Sequence, residues 1–152
     1  MPTTDTIARL MEQLDDLDRV LAARQKRPVD CAGVSLHANE AQTLKMIARN
    51  EGISQTALSE QMFRTKGATS VMVDKLVEKG LVCRRRVDGD QRRCLLTLTD
   101  QGRAAYAARM AQRDAQVHAA ARQLDLSDAA LDAANETLAQ LLRFYSAARP
   151  GA

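Results

Sequence analysis

The sequence predicts a mainly helical chain interrupted by one small β-hairpin, on three observations. The apolar residues are dominated by Ala, Leu, Val and Met, with aromatics at 3% and no Trp, which favours helix packing over an aromatic-rich β-sandwich. Before and after the centre of the chain, apolar residues recur at spacings of three and four. From Leu81 the period changes, and two β-prone runs, Val82–Val87 and Arg92–Leu98, flank the turn-forming Asp88-Gly89-Asp90-Gln91.

Ile7, Leu10, Leu14, Leu17 and Leu21 form one stripe of a first helix, while Asp15, Asp16 and Asp18 face elsewhere. That helix must stop near Lys26-Arg27-Pro28, because the residue before proline is pushed out of the helical region and proline has no N–H to donate. A loop through Cys31-Ala32-Gly33 is expected next. A second helix from about His37 to Asn50 turns Ala41, Leu44, Ile47 and Ala48 inward and ends at Glu51-Gly52. Ser54 caps a short third helix whose apolar side is Ala57, Leu58 and Met62. A turn around Phe63-Arg64-Thr65 opens a fourth helix, Lys66 to Lys79, closed by Gly80 and directing Thr69, Met72, Val73 and Leu76 inward. Beyond the hairpin, Thr99 caps a long Ala-rich helix reaching about Leu124. Ser127 caps a last helix carrying Leu131, Ala134, Leu138, Leu141, Leu142 and Tyr145.

A length of 152 residues suits one domain, and its formal charge of +3 says little by itself. The distribution says more. Met62 to Arg93 holds nine basic residues against four acidic, a local charge of +5, which leaves the remainder at −2. No apolar run approaches the roughly 20 residues that span a bilayer, and the N-terminus lacks a secretion-signal pattern, so a cytoplasmic protein without membrane contact is expected. Cys31, Cys83 and Cys94 are odd in number and lack CxxC spacing, so small buried thiols are expected and neither a disulfide framework nor a zinc site. His37 occupies a helix N-cap position with Glu40 three residues on, and His118 lies on a polar stretch of helix. Neither forms a catalytic pair or a metal site, so neither an enzyme nor a cofactor is expected.

A short helix, a tight turn, a longer helix with a polar outer face and an Arg-rich hairpin make an order suited to DNA. A B-form major groove about 12 Å wide admits one α-helix, whose N-terminal residues approach bases and phosphates. Lys66, Ser70 and Val71 are the outward positions near that end, Lys75 lies a turn further on, and Gly67 removes bulk where backbone could approach the groove wall. The hairpin tip supplies a second contact, because the negative potential of an adjacent minor groove attracts a guanidinium. Arg92 is the candidate there, flanked by Arg93, and Asp90 can pair with or orient an arginine. Arg84, Arg85 and Arg86 are candidates for phosphate neutralisation.

The hairpin resembles the wing of the MarR family of winged helix-turn-helix transcriptional regulators, which carries D-x-R-x-x-x-V-x-L-T before a helix starting x-x-G. Here the run is Asp90-Gln91-Arg92-Arg93-Cys94-Leu95-Leu96-Thr97-Leu98-Thr99, then Asp100-Gln101-Gly102, with Leu96 in place of Val. Met72 to Val82 resembles the end of the family's recognition helix and its first wing strand, and Leu36 with Asn39-Glu40-Ala41 resembles the opening of its second helix. Val71 departs from the pattern, since many relatives have Arg or another polar group there. Thr69 replaces a usual apolar residue, and its hydroxyl is free to back-bond within the helix.

The resemblance implies a winged lobe over residues 36–99 within a single domain 1–152, and dimerisation helices over 5–27 and 100–148. The implied assembly is a triangular homodimer, with Leu10, Leu14, Leu17, Leu138, Leu141, Leu142 and Tyr145 in its interface. The implied function is a regulator, expected to repress, that binds a pseudo-palindromic double-stranded operator and is relieved by a small effector such as a phenolic or aromatic carboxylate. Two rivals stand beside it. One is a winged scaffold without DNA binding, against which Arg92 and the arginine triad argue. The other is a thiol-based redox sensor of the same fold: a two-residue turn at Asp88-Gly89 pairs Val87 with Asp90 and sets Cys83 opposite Cys94, although the family's longer wing tip shifts that register.

Overall fold

The computed structural model describes residues 1–147, the side chains of Gln91 and Arg92 excepted. It is mainly helical with small antiparallel sheets, and no described helix is long and apolar enough to cross a membrane. The chain divides into two compact units, Met1–Ala111 and the stretch from Gln112 onward.

In the first unit, α1 (Thr4–Arg24) starts where Thr6 N–H donates to the Thr3 hydroxyl and ends four residues before Pro28. None of its residues is buried: Leu10 and Leu14 are half-buried, while Ile7, Leu17, Val20 and Leu21 are exposed. The segment expected as a loop is instead a hairpin of β1 (Val29–Cys31) and β2 (Val34–Leu36). Its two-residue turn needs positive φ at both positions, met by Ala32 at 54° and Gly33 at 81°. The Asp30 carboxylate accepts from Gly33 N–H at 3.2 Å. Ala is an uncommon turn residue, so the sequence carried only half of the usual signal.

Helix α2 (Ala38–Arg49) buries Ala41, Leu44 and Ile47 as expected, with Ala48 half-buried. The two-residue strand β3 (Ile53–Ser54), absent from the sequence expectation, leads into α3 (Gln55–Gln61), and α4 (Lys66–Glu78) follows. The hairpin comprises β4 (Val82–Val87) and β5 (Asp90–Leu98), and β5 also pairs with β3, giving the order β3-β5-β4. Helix α5 (Asp100–Gln123) starts at Thr99, whose hydroxyl accepts from Gly102 N–H at 2.9 Å.

The core joins Leu44 and Ile47 of α2, Leu58 of α3, Val73 and Leu76 of α4, Leu81, Leu96 of β5 and Ala105 of α5. Each fully buried Leu or Ile contributes about 1.5–3 kcal/mol. Glu51 ties the end of the sheet to the first turn of α5, accepting from Leu98 N–H at 3.1 Å and pairing with Arg103. The Leu98 N–H and then the Arg103 guanidinium hold its carboxyl below the usual glutamate range.

The second unit contains the remainder of α5 and α6 (Asp128–Ala147), begun by the Ser127 hydroxyl accepting from Ala130 N–H. No α6 residue is buried; Leu131, Leu138, Leu142, Phe144 and Tyr145 are exposed and Leu141 is half-buried. Residue 148, where the last dimerisation helix was expected to end, lies outside the described residues.

Candidate nucleic-acid interface

The helix pair α3–α4 is set by local caps. Ser54 Oγ accepts from Ala57 N–H at 3.1 Å, and Thr65 Oγ1 accepts from Ala68 N–H at 3.1 Å. Between the helices the chain reverses at Phe63, whose φ of 53° is unusual for a bulky residue. Arg64 fixes the turn: its N–H donates to Ser59 O at 3.0 Å, and its guanidinium reaches Asn39 Oδ1 of α2 at 2.9 Å. Thr69 back-bonds to Thr65 O at 3.0 Å, which satisfies its buried hydroxyl inside the core.

Helix α4 turns Thr69, Val73 and Leu76 into the core and leaves Lys66, Gly67, Val71, Asp74 and Lys75 exposed, with Ser70 half-buried. A Cβ added at Gly67 would meet nothing within 4 Å, so the first turn of α4 is open to close approach. The far end of α4 is fastened. Lys79 Nζ donates to Ser35 O at 2.7 Å and to Glu40 Oε2 at 2.8 Å, and the same carboxylate oxygen accepts from His37 N–H at 2.8 Å. Burial pushes the Glu40 carboxyl up, but the Lys79 ammonium and the His37 N–H outweigh it and hold it below the usual glutamate range.

In the wing, Arg85, Arg86 and Arg93 are exposed, while Arg84 is partly engaged: its guanidinium pairs with Asp74 of α4 at 2.6 Å and reaches Gln55 Oε1 of α3 at 3.4 Å. The Arg92 side chain lies outside the described residues; its backbone belongs to β5. Lys66 and Arg93 meet with Ser54, Gln55, Thr56 and Cys94 around a cleft of about 360 Å³, so the first turn of α4 and the wing share one basic margin. Lys75 lies elsewhere, in a second cleft of about 510 Å³ lined also by Ala22, Gln25, Lys26, His37, Asn39, Glu40 and Met72.

The sequence missed the groups that hold these side chains in place: Asn39, Gln55, Asp74 and Lys79. Their partners are 25 to 44 residues away except for the Asp74–Arg84 pair, which joins a helix to a strand, so no within-helix spacing signalled them.

The cysteine register differs from the conditional expectation. Val87 does pair with Asp90 around a two-residue turn, but the next pair is Arg86 with Cys94, so residues 91–93 are inserted on one strand. Cys83 therefore faces Thr97, and a cross-strand bond to Cys94 is not available. Buried thiols were expected throughout, but only Cys31 is buried, where desolvation pushes its thiol up; Cys94 is half-buried and Cys83 exposed, because β4 buries Val82 and turns its next residue outward. Among the described residues no group of His, Cys, Asp or Glu could hold a metal.

Residues 33–93, the α2–α4 helices and most of the wing, match the sequence model described as the MarR family. Over that stretch the chain is similar to the MarR family. A relative in Bacillus subtilis (strain 168), the uncharacterised HTH-type transcriptional regulator YdgJ, is 30% identical over 96 residues. That stretch is 63% of this chain and 56% of YdgJ, so the chain spans little more than half of that relative's length. The crystal structure of Streptococcus pneumoniae FabT in complex with DNA superposes with a TM-score of 0.76 at 21% identity, covering 91% of this chain and 96% of FabT. Staphylococcus aureus MarR, in complex with salicylate and kanamycin, gives a TM-score of 0.67 at 16% identity over 93% of this chain and 87% of that one. The fold is thus the winged helix of MarR-family proteins, which are transcriptional regulators and not enzymes.

Proposed function

We propose that this chain is a cytoplasmic DNA-binding regulator of the MarR type that acts as a homodimer on a pseudo-palindromic operator, represses transcription there, and is released by a small effector. The observation that carries the reading is the shared basic margin of α4 and the wing, where Lys66 and Arg93 border one cleft beside the open first turn at Gly67. Lys66, Ser70 and Val71 then meet base edges in the major groove, while Arg85, Arg86, Arg92 and Arg93 neutralise phosphate or enter the minor groove. Arg84 joins them from its brace on Asp74, Asp90 orients the wing tip, and Lys75 acts from the second cleft. The exposed apolar stripes of α1 and α6 support dimerisation, since each presents contiguous apolar surface.

The second cleft is the proposed effector site. Lys26, Lys75 and His37 offer positive or donor groups and Met72 an apolar wall, which suits an aromatic carboxylate such as the salicylate bound by the staphylococcal relative. Binding to duplexes enriched from a randomised library, at two or more salt concentrations, tests the reading. Arg92→Ala should weaken binding to matched and scrambled duplexes alike and flatten the salt dependence, by about 0.9 in slope for each phosphate no longer neutralised. Lys66→Ala or Ser70→Ala should instead change preference among duplexes, by roughly 1–3 kcal/mol for each base they read. Wild-type affinity and slope in Arg92→Ala would remove the wing from the mechanism and favour the scaffold.

A second reading, thiol sensing, is favoured by the exposed Cys83 next to Arg84 in the wing. If it holds, peroxide releases the duplex from wild type and not from Cys83→Ser; if thiols are structural, the two proteins behave alike.

A further inference from the structure

Opposite the buried line Thr69–Val73–Leu76, α4 presents Gly67, Val71 and Asp74, three and four residues apart and hence one above the other. Hydrogen bonding to bases is nearly absent from this central line. Gly67 has no side chain, and Asp74, a carboxylate that DNA would repel, is engaged at 2.6 Å by Arg84. Between them stands Val71, an apolar side chain that is 55% exposed. Cationic groups border the same helix: Lys66 and Arg93 line one cleft, and Arg84 of the adjacent strand reaches Asp74. An apolar residue at the centre of a basic, otherwise polar face has one matching feature in a major groove: the 5-methyl group of thymine, the groove's sole apolar group.

We infer that Val71 determines operator specificity by packing on a thymine methyl, so that α4 reads this base pair by apolar contact and not by a hydrogen bond. The inference rests on the DNA-binding reading above. A valine suits the task physically. In a helix its χ1 is held almost entirely in one rotamer, so its methyls are presented in a fixed position with little entropy to lose on binding. Its Cγ atoms cannot satisfy the donors and acceptors of cytosine, adenine or guanine, so a different base at this place offers no methyl to pack against and has its polar edge desolvated. The open space at Gly67, one turn earlier, lets the helix approach closely enough for a short side chain to reach.

The test uses the full chain and the duplex most enriched from a randomised library, in which each thymine is replaced in turn by uracil, which deletes only the methyl. One thymine per half-site should prove sensitive, with affinity falling about fourfold for one substitution and roughly fifteenfold for both half-sites, as removal of one buried methyl predicts. Val71→Ala, an exposed change that leaves the core intact, should bind the thymine and uracil duplexes equally. Replacing that thymine by cytosine should weaken wild type, and 5-methylcytosine should restore part of the affinity. A library that yields no enriched duplex overturns the regulator reading and this inference together. Enrichment followed by uracil-insensitive binding, or uracil sensitivity that persists in Val71→Ala, overturns the inference alone.

Discussion

Gly102, in the first turn of α5, lies so close to the backbone of Leu81 that a Cβ on it would stand 2.0 Å from the Leu81 carbonyl oxygen and 2.9 Å from its carbonyl carbon. The approach is locked from both sides: Thr99 N–H donates to that oxygen at 3.0 Å, and Thr99 Oγ1 bridges Gly80 O at 2.6 Å to Gly102 N–H at 2.9 Å. Gly102→Ala must therefore push α5 away from the end of α4, at about 1–3 kcal/mol. Urea titration should show the destabilisation in its midpoint. Gly67→Ala provides the contrast, since its surroundings are open and alanine favours the helix: stability should rise by about 0.5–1 kcal/mol while DNA affinity falls.

The Asp74–Arg84 pair is partly solvated, so its rupture should change stability by no more than about 1 kcal/mol. Its effect on DNA should be larger. Asp74→Asn frees Arg84 for phosphate, and the slope of log affinity against log salt should steepen by up to about 0.9. An unchanged slope, measured by fluorescence anisotropy, would mean that Arg84 remains a brace against Gln55.

Glu40 links stability to acid. Because its carboxyl is held below the ordinary glutamate value, the folded state binds the proton less readily than the unfolded state does. The stabilisation is full above the unfolded value, near 4.3, and is lost as pH falls through the lowered folded one. Lys79→Met removes the ammonium and leaves the buried carboxylate to its desolvation, so the acid-unfolding midpoint should move to higher pH. At neutral pH the variant should lose about 1–3 kcal/mol. Glu40→Gln should show less pH dependence than wild type below pH 5; equal dependence would place the acid sensitivity elsewhere.

Sedimentation should find a dimer at micromolar concentration, and Leu141→Asp should shift it towards monomer, since the change puts a charge into the apolar stripe of α6. A monomeric wild type would contradict the proposed paired half-sites. The variant's winged lobe should keep its fold, as judged by circular dichroism.

What the sequence made legible follows from where the causes lie. Ser54, Thr99 and Ser127 act on N–H groups three residues ahead, so their caps could be read along the chain. The burial of Leu44, Ile47, Val73 and Leu76 followed from periodicity alone. By contrast, β3 is a strand only because Ile53 and Ser54 meet Leu96 and Leu95 across the sheet, a pairing that two residues cannot announce. The wing register turned on where three extra residues were absorbed, which the turn residues Asp88-Gly89 did not specify. At the candidate interface the sequence shows which residues of α4 face outward, Lys66, Val71 and Lys75 among them, but not that Arg84 is engaged, because its partner Asp74 belongs to another element.

The fastening of α4 at Lys79 also has a mechanical meaning. With 13 residues, α4 is about 20 Å long; Lys79, just past its last residue, is fastened to Glu40, while Lys66, Ser70 and Val71, proposed to meet DNA, lie towards its first turn. Under the proposed effector reading that fastened end is the pivot of a lever, because Glu40, Met72 and Lys75 line the second cleft. A molecule that shifts these groups by a fraction of an ångström need tilt the helix by only about 5° to carry its first turn roughly 1.7 Å sideways over that length. In the proposed dimer a displacement of that size, doubled between two half-sites, would exceed the tolerance of a hydrogen bond, and the length of the arm would supply the amplification.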